Sequence, residues 1–240
     1  MVKTRLDHRM VSDGLVLTRS QAESYIRLGK VLVAGKIITK PGFFVADSVK
    51  IEIEGDDRYV SRAGLKLASV TSKLKIDFKN KVVLDVGSST GGFTDFALQN
   101  SAKKVIAVEI GTKQLHPSLR GNQKIELHEQ TDIRDIKKLS SSPDIVVADI
   151  SFISLREILP TIIKLVGKNT KIIVMVKPQF EAVNSGVKHK GVIKNEAIRR
   201  DILKNFEQWA KQLFYIEVKQ DSEVAGEKGN KERFYLLYKL

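Results

Sequence analysis

Helical spacing opens the chain: Leu6, Met10 and Val11 share one face, and Gly14 breaks the run. Thr18-x-x-Gln21 then forms a capping box for a second helix presenting Ala22, Tyr25 and Ile26. The period shortens after that. VLVAGKIIT holds two β-branched runs around Ala34-Gly35, and PGFFVADSVKIEIE places a turn at Pro41-Gly42 before an alternating strand. DDRYV, residues 56–60, is polar, without period, and reads as a linker. Beyond it, apolar runs alternate with helical stretches: KVVLDVG, a helix from about Gly92, VIAVEI, a short helical piece after Thr112, KIELHE, DIVVADIS, a helix around 154–167, and KIIVMVKP. A long helix over 195–213 carries Ile198, Ile202, Leu203, Phe206, Trp209, Leu213 and Phe214 on one side, and two strands follow, the last being RFYLLYKL. Short apolar runs separated by helices are what a parallel sheet covered on both faces requires. The pattern predicts an α/β fold with a Rossmann-like seven-stranded sheet closed by a terminal hairpin, over 63–240. A small amino-terminal α+β module over 1–55 and a linker over 56–62 precede it.

Composition narrows the classes. The 240 residues, 42% hydrophobic, can bury a real core, and a formal charge of +13 suits a polyanionic partner, nucleic acid before an anionic membrane. Residues 1–50 hold nine Lys and Arg against four Asp and Glu, so charge density is higher at the front. No cysteine means no disulfide, thiolate zinc site or catalytic thiol, and four scattered histidines argue against a histidine metal cluster; no metal is expected. The first ten residues lack the apolar core of a signal peptide, and the apolar run IIVMV at 172–176 is closed by Lys171 and Lys177. A cytoplasmic protein without a membrane span is the expectation.

LDVGSSTGGFTDFAL is the most informative stretch. A strand ends at Asp85, Gly87 allows a tight turn, and Gly91-Gly92 remove side chains where a helix starts, as in nucleotide-type sites. The spacing G-x-x-x-G-G matches neither the dinucleotide fingerprint nor a P-loop. Asp85 and Glu109 stand at the carboxyl ends of adjacent strands, placed to accept hydrogen bonds from a methionyl amine and ribose hydroxyls, which S-adenosylmethionine requires. Asp132 stands where an acceptor for an adenine amino group would be. Each has a plain alternative: helix–strand packing for the glycines, an exposed strand end for Glu109, a solvated loop for Asp132. Asp149 and Lys177 each end an apolar strand, Lys66 precedes the first strand and Glu232 begins the last, so two charges of each sign could converge, or simply pair.

Two resemblances follow from these stretches. RLDHRMVSDGLVLTRSQAESYIRLGKVLVAGKIITKPG resembles the S-four-type RNA-binding domain, which implies an RNA-facing surface formed by Arg5, Arg19, Ser20, Arg27, Lys30 and Lys36. VSRAGLKL, DVGSSTGGFTD, DISFISL, VKPQFEA and GNKERFYLL, in that order, resemble motifs of the TlyA (haemolysin A) family of rRNA 2'-O-methyltransferases, whose catalytic domain is FtsJ/RrmJ-like. That resemblance implies a class I methyltransferase fold and a catalytic tetrad of Lys66, Asp149, Lys177 and Glu232. It also implies contacts to S-adenosylmethionine from Gly87, Ser88, Gly92, Phe93, Glu109, Asp132 and Asp149. Ser88 replaces a frequent alanine, Ala63-Gly64 a common glycine pair, and Glu109 the usual aspartate. The implied activity is 2'-O-methylation of an rRNA cytidine, with ribosomal RNA or a ribosomal subunit as the implied partner. The family's shorter members modify only the large subunit, and this chain resembles them. KHKGVIKNEAIRR at 188–200 adds basic groups near the expected cleft, as an RNA-contacting loop or a solvated helix start. The rival readings are a membrane-active haemolysin and a non-catalytic rRNA assembly factor.

Overall fold

The structure is a computed structural model that describes residues 3–16, 19–27, 29–53, 58–226 and 229–240, with the side chains of Ser20, Gln21 and Ser24 outside that description. Contacts divide the chain into two units, residues 1–57 and 58–240. The first contains β1 (Lys3–Arg5), α1 (Leu6–Ser12), α2 (Arg19–Arg27), β2 (Val31–Val33), β3 (Lys36–Ile38), β4 (Phe44–Ala46) and β5 (Ile51–Ile53). Strand β2 pairs antiparallel with β3 and β5, and β1 with β4. Ala34 and Gly35, both at positive φ, make the two-residue turn of the β2–β3 hairpin, the geometry that follows the twist of the strands. Leu6, Met10, Ala22, Ile26, Val31 and Val45 close the core. The capping box of Thr18 and Gln21 lies outside the described residues, as do Asp56 and Asp57 of the expected linker. Residues 58–60 are fastened within the second unit: Val60 N donates to Asp95 Oδ2 at 2.8 Å, and Tyr59 packs on Phe96.

The second unit runs α3 (Arg62–Thr71), β6 (Val82–Val86), α4 (Gly92–Gln99), β7 (Lys104–Val108), β8 (Ile125–His128), β9 (Ile145–Ala148), α5 (Leu159–Leu165), β10 (Lys171–Val176), α6 (Pro178–Glu181), α7 (Glu196–Ala210), β11 (Phe214–Asp221) and β12 (Arg233–Lys239). These strands form one seven-stranded sheet in the order β11-β12-β10-β9-β6-β7-β8, with β12 antiparallel to both its neighbours and the other six strands running in one direction. Successive strand residues feed opposite faces: Leu84, Ile106, Val146 and Ile172 enter one core with Phe206, while Val83, Val105, Val147 and Ile173 enter the other with Leu67 and Phe96. This double burial explains why the strands read as unbroken apolar runs. Chain direction across the sheet reverses between β6 and β9, and a crevice opens at the carboxyl ends beside such a switch point.

Three expected elements differ. The helix around 154–167 is a 3₁₀ turn, Leu155–Glu157, followed by the shorter α5, because Pro160 suits a first helical turn and not an interior. The piece after Thr112 is only a 3₁₀ turn, Pro117–Leu119. Helix α7 ends at Ala210, so Phe214 begins a strand instead, and Ile198 is exposed. Arg199 takes the buried position, its guanidinium donating to Lys231 O at 2.9 Å, Glu196 at 2.8 Å and Asp221 at 2.6 Å.

Candidate active site

Sheet register brings five strand ends together. Val176 pairs with Arg233, while Val86 pairs with both Ala148 and Val108, so Glu232, Lys177, Asp149, Gly87 and Glu109 follow one another along the carboxyl edge. Adjacent strands lie about 4.8 Å apart, which keeps neighbouring side chains within contact range. Lys177 Nζ lies 2.5 Å from Asp149 Oδ1 and donates to Ser151 Oγ at 2.7 Å. Lys66, on α3, reaches Glu232 Oε2 at 2.6 Å. Both are charge contacts whose angles fall outside hydrogen-bond geometry, and all four side chains are largely buried. Desolvation offsets much of the attraction in a buried ion pair, so two such pairs at one sheet edge point to chemistry more than to fold maintenance.

Next to them lies a cavity of about 450 Å³, bounded by Gly87, Ser89, Glu109, Asp132 and Asp149 and by the apolar side chains of Ile110, Ile133, Ile150 and Phe152. At Gly87 φ is +77°, and a Cβ there would stand 3.0 Å from Asp149 O, so the turn needs glycine. Glu109 accepts from Ser89 N at 2.9 Å and Gly111 N at 2.7 Å, which leaves a lone pair on each oxygen. Fully buried Asp85 accepts from Thr94 Oγ1 at 2.6 Å through Oδ2, while Oδ1 has no partner. Burial, reinforced by the charges of Asp149 and Glu109, pushes this carboxyl up to about 7. Asp132 caps a 3₁₀ turn and pairs with Arg134 at 2.6 Å, and that guanidinium holds its carboxyl below the usual range.

Five expected cofactor residues lie off the cavity wall, the fully buried Asp85 among them. Ser88 is buried behind it, and a Cβ at Gly91 would strike Leu119 Cδ1 at 2.6 Å. One at Gly92 would come within 2.8 Å of Ala63 Cβ and 2.9 Å of Gly64 N, so Gly92 is required by the crossing of α3 and α4. Phe93 packs in the core against Phe234. In the first unit, Arg5 and Arg19 converge on Asp7: Arg5 donates to it at 2.7 and 3.0 Å, and Arg19 at 3.0 Å. The two guanidiniums, Arg5 above all, hold the buried Asp7 carboxyl down at about 2. Arg27 is exposed near Glu23, Lys30 lies over the Tyr25 ring and Lys36 points to solvent. The side chain of Ser20 lies outside the described residues.

The FtsJ-like methyltransferase family matches residues 59–239, and the S4 domain matches residues 4–51. The 23S rRNA (cytidine-2'-O)-methyltransferase TlyA of Campylobacter jejuni is 36% identical over 95% of this chain and 97% of its own length. The 16S/23S rRNA (cytidine-2'-O)-methyltransferase TlyA of Mycobacterium tuberculosis is 33% identical over 98% of this chain and 90% of its own. The chain belongs to the TlyA (haemolysin A) family. A solved structure from Streptococcus thermophilus that carries the name hemolysin matches with a TM-score of 0.77 at 33% identity, over 100% of this chain and 89% of that one. In this TlyA-family chain, sequence reasoning passed over five residues that organise the two units: Asp7, Ser151, Phe152, Glu181 and Asn230. Asn230 is buried and ties down the basic loop at 188–194, accepting from Ile193 N at 2.9 Å and donating to Gly191 O at 3.0 Å. All five lie inside stretches quoted above, Asp7 in RLDHRM, Ser151 and Phe152 in DISFISL, Glu181 in VKPQFEA and Asn230 in GNKERFYLL, and that position is the signal that could have flagged them.

Proposed function

We propose that this protein transfers a methyl group from S-adenosylmethionine to the ribose 2'-hydroxyl of a cytidine in 23S rRNA, in the cytoplasm. The observation that carries the reading is the buried Lys177–Asp149 contact at the rim of the cavity. Large-subunit rRNA is the substrate named for both TlyA relatives, and the S4 domain supplies an RNA-binding module.

The cavity residues fit the cofactor. The remaining lone pairs of Glu109 can accept from ribose hydroxyls and the apolar walls beside Asp132 can take adenine, while Asp85, buried next to the cavity-lining Val86, has an unpartnered Oδ1 that would accept from an α-ammonium once the site admits one. When bound, S-adenosylmethionine supplies an electrophilic methyl on a sulfonium. The ribose hydroxyl is a weak nucleophile at neutral pH, so the chain must stabilise the oxyanion as its proton leaves. Lys177 offers an amine for that purpose, aimed by Asp149 and Ser151. The pair of Lys66, on α3, with Glu232, at the start of the strand next to the one that Lys177 ends, would align the target ribose. Phe152, 88% exposed at φ +74° with its ring 5.6 Å from Phe180, offers an aromatic face on which a base could stack beside the amine. Loss of one preorganised donor costs about a hundredfold or more in kcat, so Lys177→Ala should lower methyl transfer to unmodified rRNA at least that far while calorimetry shows S-adenosylmethionine still bound. Normal turnover by that variant would contradict the reading.

No observation favours membrane lysis: among the described residues, no helix is long and apolar enough to cross a membrane.

A further inference from the structure

Glu181 ends α6, four residues after Lys177, and is 1% exposed. Its Oε2 accepts from Ser154 Oγ at 2.7 Å, its Oε1 from Leu155 N at 2.8 Å, and Arg156 Nε stands 3.5 Å from Oε2. Arg156 is itself held, donating to Asn205 Oδ1 at 2.6 Å and lying over the Trp209 ring. At the other end of α6, Phe180 N and Glu181 N bond back to Lys177 O at 2.9 and 3.3 Å, so Lys177 and Glu181 belong to one rigid turn.

Burying a carboxylate is costly, and an apolar residue of similar volume often serves stability as well. What the carboxylate adds is geometry. The loop it grips follows β9 and carries Ser151, which takes the Lys177 hydrogen bond, and Phe152, whose backbone sits at positive φ. Such a conformation costs energy and persists only where its surroundings enforce it. The grip begins at Ser154, three residues beyond Ser151, on the far side of the strained Phe152.

We propose that Glu181 is a positioning residue for methyl transfer: it clasps the loop after β9 to the turn after β10, and so holds Asp149 and Ser151 against the Lys177 amine. The inference rests on Lys177 and Asp149 acting in methyl transfer as proposed above. A gap of about 1 Å between a reacting group and its proper place can cost on the order of a hundredfold in rate. The clasp needs an acceptor facing Leu155 N and a partner for the Ser154 hydroxyl. A glutamine supplies both, its oxygen accepting from the amide and its NH₂ donating to the hydroxyl, whereas alanine supplies neither.

The test compares the unsubstituted full-length protein with Glu181→Ala, Glu181→Gln and Ser154→Ala, using labelled S-adenosylmethionine and unmodified 23S rRNA, with kcat, KM for RNA and melting temperature recorded. Glu181→Ala should lose about thirtyfold in kcat with KM within about twofold, Glu181→Gln should keep at least about a third of kcat, and Ser154→Ala should lose about threefold. If Glu181→Ala does not fold, the other two variants decide. Unchanged kcat in a folded Glu181→Ala or in Ser154→Ala overturns the clasp, as does a Glu181→Gln as slow as folded Glu181→Ala. Absence of transfer by the unsubstituted protein overturns the methyltransferase reading and the clasp together, whereas transfer by folded Glu181→Ala at the unsubstituted rate overturns the clasp alone.

Discussion

Asp85 has one oxygen bound to Thr94 and one facing nothing, in a setting that raises its carboxyl to about 7. If Asp85 receives the cofactor ammonium as proposed, that charge stabilises the carboxylate and pulls the value down, which links cofactor binding to deprotonation of Asp85. Affinity for S-adenosylmethionine should fall toward tenfold per pH unit below about 7, and Asp85→Asn should flatten the profile as well as weaken binding. Calorimetry across that range checks this; a flat profile in the unsubstituted protein contradicts it. For the fold itself, Asp85 acts in the unusual direction. Its folded value lies above the unfolded 3.8, so its contribution to stability is complete below about pH 4 and is lost as pH rises to about 7. Asp7, held at about 2 by Arg5 and Arg19, contributes above about pH 4 and ceases to as pH falls through 2.

At the scale of elements, the glycine loop shows how far spacing can be read. Gly87, Gly91 and Gly92 look alike in sequence, yet only Gly87 borders the cavity, while Gly92 lets α4 cross α3 at Gly64. Which neighbour a glycine admits, a ligand or another helix, is decided by chain about thirty residues away. As the first residue of α4, Gly92 gains little helix propensity on substitution by Ala, and Gly92→Ala forces a Cβ into Ala63 and the Gly64 backbone, an overpacking that costs roughly 1–3 kcal/mol. Thermal unfolding should therefore show a lower Tm with cofactor affinity unchanged in the folded protein; an unaltered Tm would contradict the crossing argument. The strands themselves were legible because both sheet faces are buried, and Asp149 and Lys177 because a charge ending an apolar run has few structural uses. Glu181 and Asp7 were not, because a buried carboxylate looks like any surface one until the chain brings Ser154 and Leu155, or Arg19, to meet it. Pro160 was the visible sign that the helix expected over 154–167 starts late.

For the whole molecule, the +13 charge divides by role. Arg5 and Arg19 stand half-exposed on a buried carboxylate, which fixes the position of two guanidiniums in the unit that matches the S4 domain. Lys66 and Lys177 are balanced by Glu232 and Asp149 at the sheet edge and add little to long-range attraction. Under the proposed function, general basicity would serve encounter with RNA and the two neutralised pairs the reaction. The central claim is that this chain methylates a ribose, and the direct measurement is transfer of labelled methyl from S-adenosylmethionine to unmodified ribosomal subunits, followed by mapping of the modified nucleotide. The account predicts label on the 2'-oxygen of a 23S rRNA cytidine, lost in Lys177→Ala; no label on either subunit, or label on a base, would contradict it.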